Sequence, residues 1–444
     1  MLQSSRRLLI ASVVLISCGV LLSLPPRTSD VRAETQRLTA SGELKWYRGN
    51  LHTHSLWSDG DDYLESIGAW YREHDYQFLA FTDHNTLADK ERWVDVEKSK
   101  GGQVAFDKLK KRFPENWIAQ RQSPDNKLEV KLKTFAEVAA KLNEPGKYLL
   151  LQGEEVSDGF ANAPIHMNAS NIKELIVPRH GASVVETIQN NTDALISQRE
   201  RTGQPMMIHL NHPNFGYGVT AEDLMAIRGE NFFEVYNGHP TVNNSGTKER
   251  ASTERIWDIV NTRRLSEFRL PLLYGLATDD GHSYHKMPSR ASEPGRGWVM
   301  VLAPELEAGT LIKALEAGRF YSSSGVALES VTSTVQGLDI AVKAEPGQSY
   351  VIEFIGTRRG YDAKHQPVLD RFGKVMRTTE RYSDDVGKVF ATSTGTKASY
   401  RFQPADLYVR ARVTSSQKHP NPGEVGEFQR AWSQPILGPA VRGN

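Results

Sequence analysis

Apolar, strand-like runs alternate with helix-like stretches along most of the chain, and this alternation limits the folds it can adopt. The runs are Leu44–Leu51, Phe78–Thr82, Tyr148–Gln152, Met206–Asn211, Phe232–Tyr236 and Leu270–Ala277. Each is followed by turn residues, and helical patterns such as Asp62–His74 and Thr253–Arg263 lie between them. Strand followed by helix, repeated, predicts an α/β fold around a parallel sheet. With this many units a TIM-like barrel is expected, over about residues 43–322, rather than an open sheet. The lysine-rich stretch at about 88–147 interrupts the alternation. It reads as a helical insertion after the second strand, either a solvated excursion or a lid over the catalytic end. After Gly325 short alternating runs appear, Leu338–Lys343, Tyr350–Gly356, Ser399–Phe402 and Leu407–Thr414, punctuated by Gly, Pro and Asp. They predict a small antiparallel β-sandwich over about 326–438.

The first residues read as an export signal. Arg6 and Arg7 precede the apolar run Leu8–Leu24, Pro25 and Pro26 break it, and Val31-Arg32-Ala33 offers a small-residue cleavage pattern. Residues 1–33 are therefore expected to be removed, giving a periplasmic or extracellular protein. A retained N-terminal membrane anchor and a lipoprotein acylated at Cys18 are the alternatives. Cys18 is the only cysteine. The mature chain then has no disulfide and no thiolate, and any metal site must be built from nitrogen and oxygen ligands. A formal net charge of +1 carries no specific nucleic-acid signal.

Eleven of the 13 histidines fall between His52 and His285, which places the chemistry in the α/β region. They cluster with carboxylates at predicted strand ends. His52-Thr53-His54 follows the first run, with Asp59 in the same loop, and Asp83-His84 follows the second. Glu154-Glu155 follows the third, His166 sits in Ile165-His166-Met167, His209 and His212 flank Leu210-Asn211, and Asp279, Asp280 and His282 follow Gly275-Leu276-Ala277. The carboxyl ends of barrel strands converge on one rim. Imidazole and carboxylate suit zinc, manganese and iron, and a carboxylate can bridge two such ions. Asn237 and His239 are candidates to face the same rim. His74, His180 and His285 read as structural or solvent-facing.

These residues resemble the PHP (polymerase and histidinol phosphatase) superfamily. The resemblance runs from about Tyr47 to Gly325 and covers His52-x-His54, Ser58-Asp59-Gly60, Thr82-Asp83-His84, Gly153-Glu154-Glu155, His166, Asn211-His212-Pro213, Asp280-x-His282 and Ala317-Gly318-Arg319-Phe320-Tyr321. It implies a distorted (β/α)7 barrel holding two or three divalent ions (Mn, Zn or Fe). His52, His54, Glu155 and Asp280 would hold one ion. Glu155, His166 and His212 would hold a second, with Glu155 as the bridge. Asp59, His84 and His282 would hold a third and serve the reaction directly. The family pattern selects Glu155 over Glu154, His212 over His209 and Asp280 over Asp279.

The implied activity is hydrolysis of a phosphomonoester or phosphodiester, small or polymeric, by water that the ions activate. The anion needs cationic partners, and Arg319, Arg296, Arg290 and Lys286 near the last strands are the candidates, Arg319 foremost. The long insertion and the β-rich tail depart from compact members and point away from histidinol phosphate or a nucleotide. Two rival readings stand beside this one. An amidohydrolase-type enzyme cleaving an amide or ester would not need Asp59, His84 and His282 as a third cluster. A non-catalytic protein would use the metals structurally and bind a glycan or cell surface through the β-rich tail.

Overall fold

The computed structural model describes residues 44–229 and 231–442. The segment read as an export signal, with Cys18, lies outside the described residues. Among the described residues no helix is long and apolar enough to cross a membrane.

The chain enters on β1 (Lys45–Asn50), α1 (Leu64–Glu73) and β2 (Phe78–Phe81). The insertion follows as β3 (Trp93–Asp95), α2 (Gly102–Arg112), β4 (Gln120–Gln122), β5 (Leu128–Lys131) and α3 (Phe135–Leu142). Next come β6 (Leu149–Phe160), β7 (Ala163–Ser170), α4 (Val184–Thr202), β8 (Met207–Leu210), α5 (Ala221–Leu224), β9 (Phe232–Asn237), α6 (Thr253–Arg263) and β10 (Tyr274–Thr278). β11 (Trp298–Ala303), α7 (Ala308–Glu316) and β12 (Phe320–Ser323) close the α/β region.

The central sheet is mixed rather than parallel. It runs β10-β9-β8-β7-β6-β2-β1-β11-β12 and continues into the C-terminal strands. β1, β2 and β6 pair in parallel, as do β8, β9 and β10. Between these blocks β6 and β7 form an antiparallel hairpin, and β7 pairs antiparallel with β8. The sequence reading contains neither this hairpin nor the antiparallel β11 and β12. β6 continues well past Gln152, because Gly153–Phe160 finds a partner only in the returning strand. The regular ladder ends at β10, whose end meets the β1 end through the parallel bridge Thr53–Gly281 and through the Asp279 amide donating to Asn50 Oδ1.

The insertion is part helix and part sheet, with β3, β5 and β4 forming an antiparallel sheet. It is packed down rather than free. Val96, Phe106, Leu109, Val130 and Leu132 share one apolar core with Trp57, Tyr63, Leu64 and Ile67. Lys108 Nζ reaches Asp62 Oδ2 at 2.5 Å, and Trp57 Nε1 donates to the Lys133 carbonyl. The Thr134–Glu137 capping box starts α3, four residues later than the helical pattern at Lys131 suggests, since Lys131 still belongs to β5.

The C-terminal strands are β13 (Leu328–Thr334), β14 (Gly337–Val342), β15 (Tyr350–Arg358), β16 (His365–Gln366), β17 (Arg381–Tyr382), β18 (Lys388–Thr394), β19 (Lys397–Arg401), β20 (Asp406–Lys418), β21 (Phe428–Ser433) and β22 (Ile436–Leu437). β13-β14-β19 form one antiparallel sheet, and β21-β20-β15-β18 extend the central one. The two share a core of Leu338, Ile340, Ile352, Phe354, Val409 and Val413. This β-rich part is joined to the α/β part by the β12–β21 ladder. A buried ion pair adds to the join: Arg410 donates from Nε and Nη2 to the two Asp258 oxygens of α6, at 2.9 and 2.7 Å.

At Gly101 the insertion runs close against the β1–α1 loop. A Cβ there would fall on the Asp61 carbonyl oxygen and on Ala105. The substitution Gly101→Ala is expected to destabilise the protein by about 1–3 kcal/mol, the usual cost of overpacking, as a lower urea midpoint. An unchanged midpoint would show that the insertion is not docked there.

Candidate metal centre

Nine side chains from six segments meet beside the carboxyl ends of the parallel strands and on the β6–β7 hairpin. They form four overlapping groups whose ligand atoms lie within 4.8 Å of one another: His54, Asp59, His84 and His282; His52, His54 and Asp280; His52, Glu155 and His212; and His84, Glu155 and His166. All nine metal-ligand candidates are in these groups, and Glu155 belongs to two of them. The partition differs from the one the resemblance implies, since His212 and His166 fall in different groups and His84 in two.

Local backbone explains each placement. His52 and His54 leave β1 in extended chain, so their rings emerge on one side, with Nε2 atoms 3.1 Å apart. Asp59 is carried on a tight turn in which the Ser58 and Gly60 amides donate to the Ser55 carbonyl. Residue 60 must be glycine, because a Cβ there would strike the His54 carbonyl. Glu154 and Glu155 are separated by strand alternation. Glu155 points into the cluster, whereas Glu154 Oε1 accepts the Ile176 amide on the other face. Asp280 sits in a left-handed conformation, φ 50, which turns its carboxylate back toward His52 and His54 at 3.2 and 3.3 Å.

The rings are held in defined orientations. His52 Nδ1 lies 2.7 Å from Glu234 Oε1, which turns its Nε2 toward the cluster. His282 Nδ1 donates to the Asp280 carbonyl at 2.8 Å, which aims its Nε2 at Asp59, 3.2 Å away. Such outer partners hold metal-binding imidazoles in place. Glu155 is oriented by Asn211 Nδ2 at 2.7 Å, and Asn211 in turn donates to Asn168 Oδ1.

The electrostatics match a site built for cations. Burial works against charge on Glu155 and Asp280, yet the surrounding imidazoles hold both carboxyls well below their usual range. Burial and the neighbouring His282 push His54 down to about 3. His84 goes the other way: burial opposes its charge, but Glu155 and Asp59 outweigh it and raise the ring to about 9. Inward ring nitrogens, buried carboxylates and the absence of sulfur fit divalent first-row ions.

Glu234 is the functional residue that the sequence reading misses. It is fully buried and receives His52 Nδ1, the Thr278 hydroxyl, the His212 amide and Asn237 Nδ2. The available signal was a lone carboxylate inside the apolar run Phe232–Tyr236. Asn237 does face the site, donating to Asp280 Oδ2 at 3.1 Å. The ring of His239 lies 5.6 Å from that of His282. His209 is buried beside Glu234, 3.5 Å away. Asp83 and Asp279 are structural: Asp83 accepts from Ser55 and Ser58, and Asp279 from Tyr71 and two backbone amides. His74 stacks on Trp70, His180 pairs with Asp158, and His285 binds the Asp61 carbonyl.

Two of the expected cationic partners, Arg319 and Arg296, are placed elsewhere. Arg319 precedes β12, and its carbonyl accepts from Leu302. The adjacent Gly318 abuts Tyr274 at the start of β10, so Arg319 lies at the opposite end of the strand from Asp280. The antiparallel return of β12 puts it there. Arg296 is buried and committed to Gly238, Asn421 and Glu293. Arg290 and Lys286 are exposed. Lys100 of the insertion is the cation found beside the ligands: its Nζ donates to the Asp59 carbonyl and lies 4.0 Å from Asp59 Oδ2.

No family model matches the chain, and neither does any curated protein. Among solved structures it is similar to a two-domain protein of Bacteroides vulgatus ATCC 8482 that contains a predicted PHP-like metal-dependent phosphoesterase. The identity is 15%, covering 88% of this chain and 95% of that one, with a TM-score of 0.38. A candidate metal-dependent phosphoesterase of Bifidobacterium adolescentis ATCC 15703 is 15% identical over 55% of this chain and 91% of that one, with a TM-score of 0.30. Both likenesses are distant, and the chemistry of this chain rests on its own residues.

Two outcomes are expected. Glu234→Gln keeps the shape but loses the carboxylate that orients His52, and should weaken metal binding about 10- to 100-fold by calorimetry. Wild-type affinity in that variant would remove Glu234 from the site. Burial raises Glu154 to about 8. Between the unfolded value near 4.5 and 8 the folded state holds the proton and the unfolded state has lost it, so this group makes stability fall as pH rises. Glu154→Gln should therefore stabilise the protein at pH 8 by more than about 1 kcal/mol, with the gain vanishing near pH 4 in urea titrations. A gain independent of pH would contradict the assignment.

Proposed function

We propose that this chain is an exported, divalent-metal-dependent phosphoesterase of PHP type, with its parallel strands arranged as the distorted barrel of that family. One observation carries the reading: the Asp59, His84 and His282 side chains form a group with His54, adjoining the two groups that share Glu155. An amidohydrolase-type site has no evident use for that group. Held there, two or three ions would acidify a water molecule and take up charge on the phosphoryl oxygens.

The protein's own residues supply position and selectivity. His52 and His54 are fully buried, while Asp59 and His84 are partly exposed, so substrate approaches from the Asp59–His84–His282 side. Lys100 stands on that rim and is placed to bind a phosphoryl oxygen. The insertion that carries it acts as a fixed wall of the site. The β-rich part is free to contribute contacts to a glycan or a cell surface.

The test compares manganese- or zinc-loaded protein with two variants on phosphomonoester, phosphodiester, ester and amide panels. His84→Ala should lower kcat/KM for a phosphoester by about a hundredfold or more. Lys100→Met should raise KM about tenfold or more, as expected for a lost charge-assisted hydrogen bond, with metal content unchanged. Activity confined to amides or carboxylic esters, or a fully active His84→Ala enzyme, would sink the proposal.

A further inference from the structure

A phenylalanine is stationed on the rim of the metal centre. Phe215 is half-buried, but its ring belongs to none of the apolar clusters. Instead it packs against three imidazoles: His212 at 5.1 Å, His166 at 6.1 Å and His239 at 6.4 Å between ring centroids. Two of these are ligand candidates, and the third abuts His282. A large apolar side chain gains most by burial in an apolar core, so this placement calls for another reason.

The segment that carries it is built, not slack. The Phe215 amide donates to the His212 carbonyl, and its own carbonyl accepts from Gly218. Asn214 Nδ2 ties the turn to the Asn243 and Ala251 carbonyls. Gly216 and Tyr217 are both left-handed, with φ 55 and 52, and Tyr217 is a residue type that pays for that conformation. The Tyr217 ring is covered by the Arg250 guanidinium at 4.0 Å. Phe215 is therefore held rigidly beside His166 and His212, whereas Lys100 flanks Asp59 on another part of the rim.

We infer that Phe215 is a specificity residue, on which the ester substituent of the substrate packs, so that the site selects phosphoesters of alcohols bearing a flat or apolar ring. The inference rests on the phosphoester reading for the anionic end of the ligand. A phosphoryl group drawn to the ion cluster and Lys100 leaves its uncharged substituent to the Phe215 and His239 side, where an apolar ring displaces water from an aromatic face.

The experiment uses manganese-loaded protein and two non-hydrolysable probes, benzylphosphonate and methylphosphonate, by calorimetry. Benzyl phosphate and methyl phosphate, whose alcohols are similarly poor leaving groups, are run in parallel as substrates. Wild-type protein should bind benzylphosphonate about tenfold more tightly than methylphosphonate. Phe215→Ala should abolish the difference, read as the ratio of the two affinities within each variant, and Phe215→Tyr should restore it. kcat/KM should follow the same order. The inference is overturned if Phe215→Ala keeps the benzyl preference, or weakens both probes equally with no rescue by Phe215→Tyr. A Phe215-dependent preference in binding with no hydrolysis of either phosphate or of any member of the phosphodiester panel would support the inference while removing the phosphoesterase reading.

Discussion

Three carboxylates, Glu155, Glu234 and Asp280, lie buried within 2.7–3.5 Å of imidazole nitrogens, and the architecture around them serves that crowding. Charge taken out of water is expensive unless it is paired. Here pairing with histidine goes only part of the way, because His54 resists protonation while His84 holds its proton tightly. Cations supplied at the strand ends satisfy the same ligands without forcing the imidazoles to charge. The buried Asn211–Asn168 pair and Glu234 then have a clear purpose: they orient ligands that would otherwise be free to pair among themselves.

That constraint shapes the surrounding fold. The β6–β7 hairpin places Glu155 and His166 on adjacent strands, with His166 opposite Ser157 in register. The insertion is docked on the β1–α1 loop through an apolar core and through Lys108, which steadies the turn that presents Asp59. The β-rich part is likewise not a loose appendage. β21 continues the sheet from β12, and Asp258 on α6 is neutralised by Arg410 from β20.

Much of the centre was legible in the sequence because metal ligation needs particular residue types at strand ends. His52, His54, His84 and Asp280 stand just after apolar runs, where a chain leaving a parallel strand must turn. Glu155 and Glu154 could not be told apart by composition; strand alternation gives one to the cluster and the other to the Ile176 amide. Glu234 showed only as a lone carboxylate in an apolar run, and its role did not, because its partners, His52, Thr278 and the His212 amide, are remote in sequence. Arg319 is a related case. Its position near the last strand said nothing of direction, and β12 runs antiparallel, which delivers it to the far end.

Sequence alone determined that the chain would alternate strand and helix, end in short β-strands and gather nitrogen and oxygen ligands with no thiolate among the described residues. Those properties follow from local patterning and residue chemistry. Tertiary structure alone decided that the sheet is mixed, that Glu155 is shared between groups, that Glu234 orients His52 and that Lys100 and Phe215 occupy the rim. These depend on strand direction, register and long-range packing, which one residue's neighbours in the chain do not specify.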